Sequence, residues 1–254
     1  MKVAVLISGF PRFTKEFDHL LESLQNYDQV DWFFMFWKAT HQDDVRIPPN
    51  WPTDIDSIRN SIQRRLPERN HVVHLSIQAA PEYNPTIKYN TTQWSVDKNI
   101  WTMYYGIFAV NNIREQYELD QVPYDLVIRA RGDVGIFESL DLRVIHQTLL
   151  QNPNVILTPA NHRHGLGFSI NDLFAIGLPS TMSIYAQAYL HLDEYTQKGM
   201  LFHGETVLGY HLQQNRIQAP MTNFTCVMRY YKTGGLLRSP GDPDSMADHG
   251  RWND

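Results

Sequence analysis

A continuous, mostly apolar run rich in β-branched residues, Val3 to Ser8, predicts a strand buried on both faces. Gly9-Phe10-Pro11-Arg12 breaks it, and Phe13, Phe17, Leu20, Leu21 and Leu24 then recur at helical spacing, with Thr14 as the N-cap. Val30 to Trp37 reads as a second buried strand, so the chain opens as strand, turn, helix, strand, the start of a parallel α/β sheet. Lys38 to Asn50 is a polar loop ending in Pro48-Pro49. Ile55, Ile58, Ile62 and Leu66 mark a helix from Asp54 to Leu66, and His71 to Ile77 a third strand. Gln78 to Thr92, with Pro81 and Pro85, reads as an irregular loop of a length that often carries function. Ser95 to Glu118 predicts one or two aromatic-rich helices centred on Trp101, Tyr104, Tyr105, Ile107 and Phe108. A fourth strand is expected at Leu126 to Arg131, a helix at Val144 to Leu150 and a fifth strand at Val155 to Thr158. A loop at Asn161 to Gly167 and a short strand or turn at Asp172 to Gly177 follow. Helices at Ser180 to Leu192 and Glu205 to Gln214, and one or two strands between Ile217 and Met228, complete the pattern. No repeat or linker interrupts it. The expectation is one α/β domain over residues 1–232, with a mostly parallel central sheet and helices on both faces, and an irregular tail at 233–254.

Composition narrows the picture. With 254 residues and 43% hydrophobic content, the chain suits a single large domain with a substantial core. Its net charge of −5 argues against a general nucleic-acid binder, which needs a basic face. The lone cysteine, Cys226, cannot form an internal disulfide, and its apolar strand-like setting reads as a buried structural thiol. The N-terminal apolar run is short, lacks a small-residue cleavage site and meets Pro11 and Arg12 at once, so it reads as a first strand rather than a signal peptide. No stretch approaches the ~20 apolar residues of a membrane span, and a cytoplasmic chain is expected. The sequons at Asn90 and Asn223 carry little weight without a signal. His162 and His164 are two apart and His203 and His211 eight apart; neither spacing makes a helical pair with a third ligand, so structural zinc is not expected.

Chemistry concentrates after the fourth strand, where Arg129, Arg131 and Asp133 are separated by single residues. Strand alternation would point all three from the strand's C-terminal end, the edge at which open α/β sheets bind ligands. Gly132 permits a turn and close approach. A carboxylate flanked by guanidinium groups suits a metal-bound diphosphate: Asp133 can hold Mn2+ or Mg2+ through oxygen, and arginine can hold phosphate oxygens. The same spacing fits a structural ion pair between Arg131 and Asp133. A single Asp would leave the ion to draw its other ligands from diphosphate and water.

The segment YDLVIRARGDV, Tyr124 to Val134, resembles the motif strand of a group of bacterial and viral glycosyltransferases of the GT-A fold, related to lipopolysaccharide and capsule synthesis enzymes. In them an Arg-x-Arg-x-Asp element stands in place of Asp-x-Asp. VAVLISGFPRF resembles their opening strand and Gly-x-x-Arg turn, and WTMYYGIFAVNNI their aromatic helix. NDLFAIGLPSTMSIY resembles their Asn-Asp-x-Phe-x-Ile-Gly segment, and GETVLGYHL their late helix start. The five elements fall in the expected order between residues 3 and 212. The resemblance implies a single GT-A-like (Rossmann-like) domain that moves a sugar from a nucleoside diphosphate sugar to a glycan or other hydroxyl acceptor, in surface polysaccharide or glycan synthesis. A lipid-linked acceptor would be met at the inner membrane surface.

The resemblance also implies roles. Ser8, Gly9 and Arg12 would contact the donor nucleotide, although the same residues suit a plain turn. Tyr104 and Tyr105 would close over the donor, or pack the core. Arg129, Arg131 and Asp133 would bind the donor, with Asp133 and a late His249 on the divalent cation. Asp172, which also suits a turn, and Glu205, which also suits a first helical turn through the helix dipole, are two candidates for the base that deprotonates the acceptor. The competing readings are a sugar-nucleotide binder or degenerate family member without turnover, a different α/β nucleotide-processing enzyme, and an interaction module.

Overall fold

The computed structural model describes residues 1–11, 15–27, 29–38, 54–68, 70–91, 96–136, 140–159, 170–220, 222, 226–229 and 236–238; residues 15, 16, 226–229 and 236–238 are described as backbone. Arg12, Thr14, His162, His164, Asn223 and His249 therefore lie outside the described residues.

Four parallel strands form the body of the main sheet: β1 (Lys2–Gly9), β2 (Gln29–Trp37), β3 (Asn70–Gln78) and β4 (Leu126–Ala130). Two more, β6 (Ile156–Leu157) and β7 (Phe174–Gly177), extend it past β4, with β7 antiparallel to both β4 and β6. The order is β3-β2-β1-β4-β7-β6. The fold is α/β around a mostly parallel, mixed six-stranded sheet.

Alternation along β1 divides the core into two layers. Val3, Val5 and Ile7 face the layer that holds α1 (Lys15–Leu24), α2 (Ile55–Gln63) and α4 (Leu142–Gln151). Ala4 and Leu6 face the layer that holds α3 (Asp97–Glu118), α5 (Pro179–Ala186), α6 (Leu192–Gln197) and α7 (Gly204–Gln214). Helices cover both faces, which is why the β1 and β2 sequences read as nearly continuous apolar runs. The described residues include no helix long and apolar enough to cross a membrane.

Helix α3 comes close to the sheet at Gly106. A Cβ there would lie 3.2 Å from the Trp37 ring and 3.3 Å from the Ser8 side chain. Gly106→Val is therefore expected to cost roughly 1–3 kcal/mol by overpacking, measured as a lower denaturation midpoint at unchanged m-value.

Three sequence expectations change. The helix over 180–192 is α5, then a 3-10 segment at Gln187–His191, then α6; no Gly or Pro marks the joints, so periodicity could not reveal them. Beyond the Val155–Gln218 bridge, the strand found between 217 and 228 among the described residues is β8 (Cys226–Arg229). The tail is not wholly irregular: β9 (Leu236–Arg238) pairs with β8, which pairs with β5 (Val134–Ile136), in a second, antiparallel sheet of order β5-β8-β9. These strands are three to four residues long, too short for alternation to register.

Candidate functional site

The chain leaves β1 outward to β2 and β3, then returns to β4 on the other side of β1. This reversal makes a crevice at the C-terminal ends of β1 and β4, the place where open α/β sheets bind ligands. Gly9 ends β1 with φ of +116°, and a Cβ there would meet nothing within 4 Å. The backbone turns sharply here with open space beside it, and glycine tolerates that conformation without strain.

The alternation expected through residues 129–133 stops at Ala130, because β4 ends there and Gly132-Asp133 form a turn into β5. The two arginines consequently do different jobs. Arg131 donates to both oxygens of Asp133, Nε to Oδ1 at 2.9 Å and Nη2 to Oδ2 at 2.7 Å. Asp133 is buried and Arg131 mostly so. Arg129 pairs in register with Leu6 of β1 and Ala175 of β7, so it points into the α3 layer. There it is fully buried, and its Nη1 donates to the Asp172 carbonyl. Its Nε and the Tyr185 hydroxyl are both buried without a hydrogen-bond partner.

Asp172, Glu205, Tyr104 and Arg129 come together on this side of the sheet. Asn171 accepts from the Leu173 N–H at 2.9 Å, forming the turn that delivers Asp172 just before β7. The fully buried Tyr104 hydroxyl donates to the Gly204 carbonyl at 2.6 Å and so fixes the start of α7. A Cβ on Gly204 would lie 2.6 Å from Asp172 Oδ2, so a side chain there would push the carboxylate out of this position. Glu205 follows, anchored by its carbonyl, which accepts from the Ile170 N–H at 3.1 Å. Burial, and then the Asp172 charge, push Glu205 up to about 8. Near neutral pH Glu205 therefore holds a proton that it would not keep in water.

Two other expected residues sit differently. Ser8 is buried under α3 at Gly106. Tyr105 stacks on Trp101 at 5.9 Å and Trp37 at 5.8 Å, with the edge of Tyr189 at 5.3 Å, inside an aromatic ladder. The expected irregular loop is strapped beside the site. Tyr89 and Thr86 hydroxyls donate to Asp193, the Tyr89 ring stacks on Phe202 at 4.0 Å, and the Phe202 N–H donates to the Asn90 carbonyl at 2.7 Å.

His203 was not singled out as a site residue from sequence. Its Nε2 lies 3.1 Å from Glu205 Oε2. The available signal was a histidine directly before Gly-Glu at a helix start, where Ser, Thr, Asp or Asn would be the usual cap. His211, its partner in the sequence pattern, is structural. The Tyr195 hydroxyl donates to its Nδ1 and its Nε2–H donates to the Ile184 carbonyl, both at 2.7 Å, while burial lowers it to about 4.

No three His, Cys, Asp or Glu side chains are grouped to hold a metal among the described residues. At the predicted ion site the described protein ligand is one carboxylate with both oxygens already bound by a guanidinium. An ion there would have to draw its remaining ligands from a diphosphate and water, as the sequence reading expects, and the second expected ligand, His249, lies outside the described residues. Comparison with protein-family models and with curated proteins finds no match.

Proposed function

We propose that the chain is a GT-A-like glycosyltransferase that moves a sugar from a nucleoside diphosphate sugar to a hydroxyl acceptor, a glycan in surface polysaccharide or glycan synthesis. The observation that carries this reading is the pairing of buried Asp172 with Glu205 beside the β1–β4 crevice, with Glu205 raised to about 8. Carboxyls forced together in a largely desolvated setting are more often functional than structural. A base with an affinity near working pH is what acceptor deprotonation needs.

In this reading the donor diphosphate lies across the open turn at Gly9 and the Arg131–Asp133 turn, and the acceptor approaches the Asp172–Glu205 side. Charge accumulates on the departing diphosphate as the anomeric bond stretches through an oxocarbenium-like state. Arg131 is placed to offset that charge where it develops. Arg129 acts from below, holding the Asp172 carbonyl and with it the turn that presents the carboxylate. No step is routed through a divalent ion.

A second reading, a sugar-nucleotide binder without turnover, is favoured by one observation: both Asp133 oxygens accept from Arg131, so the carboxylate is engaged in a structural pair. A thermal-shift screen against UDP-, GDP-, CMP- and dTDP-sugars, with and without Mn2+, tests binding. One nucleotide class is expected to stabilise the protein, by about 2.7 kcal/mol at 100 times its dissociation constant. Acceptor-dependent release of nucleoside diphosphate then separates transferase from binder. A flat response to every donor would overturn both readings.

A further inference from the structure

His203 stands at the N-cap of α7 but makes no side-chain capping bond. Gly204 follows it where any side chain would strike the Asp172 carboxylate. Helix initiation explains neither residue, whereas the carboxylates explain both. The imidazole is directed to Glu205, with Nε2 3.1 Å from Oε2, and its Nδ1 lies 3.3 Å from Thr206 Oγ1. Depth is graded across the group: Arg129 is 1% exposed and Asp172 9%, while the side chains of Glu205 and His203 each keep 19%. Glu205 and His203 are thus the members within reach of an incoming hydroxyl.

Resting on the transferase reading, we propose that Glu205 takes the acceptor's proton and that His203 is its positioning residue, holding Oε2 through Nε2–H and leaving Oε1 for the hydroxyl. The acceptor O–H bond breaks and its proton passes to Glu205 Oε1. The acceptor oxygen bonds to the anomeric carbon. The bond from that carbon to the diphosphate oxygen breaks, its electron pair leaving on the diphosphate. This is a single displacement and inverts the anomeric centre.

Two proton arrangements are open to the pair. With Glu205 ionised, Nε2–H donates to Oε2 and Nδ1 accepts from the Thr206 hydroxyl. With Glu205 protonated, its O–H donates to Nε2 and Nδ1–H donates to Thr206. Both arrangements use the same two contacts, Nε2 to Oε2 and Nδ1 to Thr206 Oγ1, with protons and one hydroxyl rotor exchanged between them. The groups facing it from neighbouring elements set the balance. Asp172, from the turn before β7, opposes ionisation of Glu205. Arg129, from β4, lies beneath Asp172 and bonds its carbonyl. The Tyr104 hydroxyl from α3 is spent on the Gly204 carbonyl, and Tyr185 from α5 stays neutral, burial pushing it up to about 12. Glu205's own backbone N–H favours the ionised base, and His203, with Nε2 3.1 Å from Oε2, is the neighbouring side chain positioned to add to that.

The test is the pH profile of acceptor-dependent nucleoside diphosphate release for the wild type, His203→Ala and His203→Gln, with donor affinity measured alongside. The alanine variant is expected to lose about 10- to 100-fold in kcat and to move the acid limb of its profile alkaline by about one pH unit, with donor affinity unchanged. Glutamine keeps an N–H donor and is expected to recover part of both effects. A second readout, by NMR, needs no turnover: in wild type the His203 ring signals are expected to report the Glu205 ionisation as a second titration step near pH 8, and Glu205→Gln is expected to abolish that step. An unmoved acid limb in the alanine variant, or a His203 titration indifferent to Glu205→Gln, overturns the assignment while leaving the transferase reading standing. A wild type that binds donor yet releases no diphosphate with any acceptor overturns the transferase reading and this assignment with it.

Discussion

Glu205→Gln is expected to raise the melting temperature at pH 8–9 while lowering turnover by about 10²- to 10⁴-fold. Gln keeps the shape and the hydrogen-bonding reach to His203 but carries no charge. In the folded protein Glu205 is raised to about 8 from its ordinary value of 4.5, chiefly by burial and then by Asp172. A carboxyl shifted up binds its proton more tightly folded than unfolded. Its contribution to stability is thus fully present below pH 4.5 and is lost progressively as pH rises to about 8. At about 1.4 kcal/mol per pK unit, the cost above pH 8 is of order 3 kcal/mol once sharing with Asp172 is allowed for.

The glutamine variant avoids that cost, so its advantage should be about 5–10 °C at pH 8.5 and should shrink toward zero near pH 4.5. Thermal denaturation across pH 4.5–9, run beside the release assay, measures both effects. An advantage of the same size at every pH would mean that packing, not desolvation, distinguishes the two side chains. Stability gained where function is lost is the usual mark of a residue retained for chemistry.

The main parallel strands were legible because their signal is physical and local. β1 and β2 are buried on both faces, and a strand of eight or nine residues in that setting is apolar almost throughout. Helix α2 could be read from Ile58 and Ile62, and its start from Asp54, which accepts from the Ser57 N–H. The site was legible in its residue types more than in its geometry. Asp172 and Glu205 were separately suggested, but their meeting depends on Gly204, whose missing side chain lets α7 begin against Asp172. Nothing local to Gly204 records a neighbour 32 positions earlier in the sequence. Strand alternation carried past Ala130 gives Arg129 and Arg131 the same role, whereas the chain turns there into a second sheet. His203 was missed for a related reason: its partner is visible only once the helix start is known.

Asp133→Ala is expected to be among the most destabilising single substitutions in the chain, at roughly 3–5 kcal/mol. Asp133 offers two oxygens to Arg131, whose side chain is 18% exposed against 4% for Asp133. Removing the carboxylate takes two charge-assisted hydrogen bonds from a mostly buried guanidinium. Arg131→Ala takes the same two from the more buried carboxylate, so the two single losses should be similar. The double variant removes both charges and should cost clearly less than their sum, with a coupling of about 2 kcal/mol or more in a double-mutant cycle. Urea denaturation of the four proteins measures this. Additive losses would mean that each side chain is held mainly by other neighbours. Nucleotide-sugar shifts on the same four proteins then assign the pair's role. If the double variant folds but no longer responds to the donor that stabilises the wild type, the pair serves both as a structural clasp and as the diphosphate contact. If the response survives, the diphosphate is held elsewhere along the crevice, and the ion pair is there to close the turn between the two sheets.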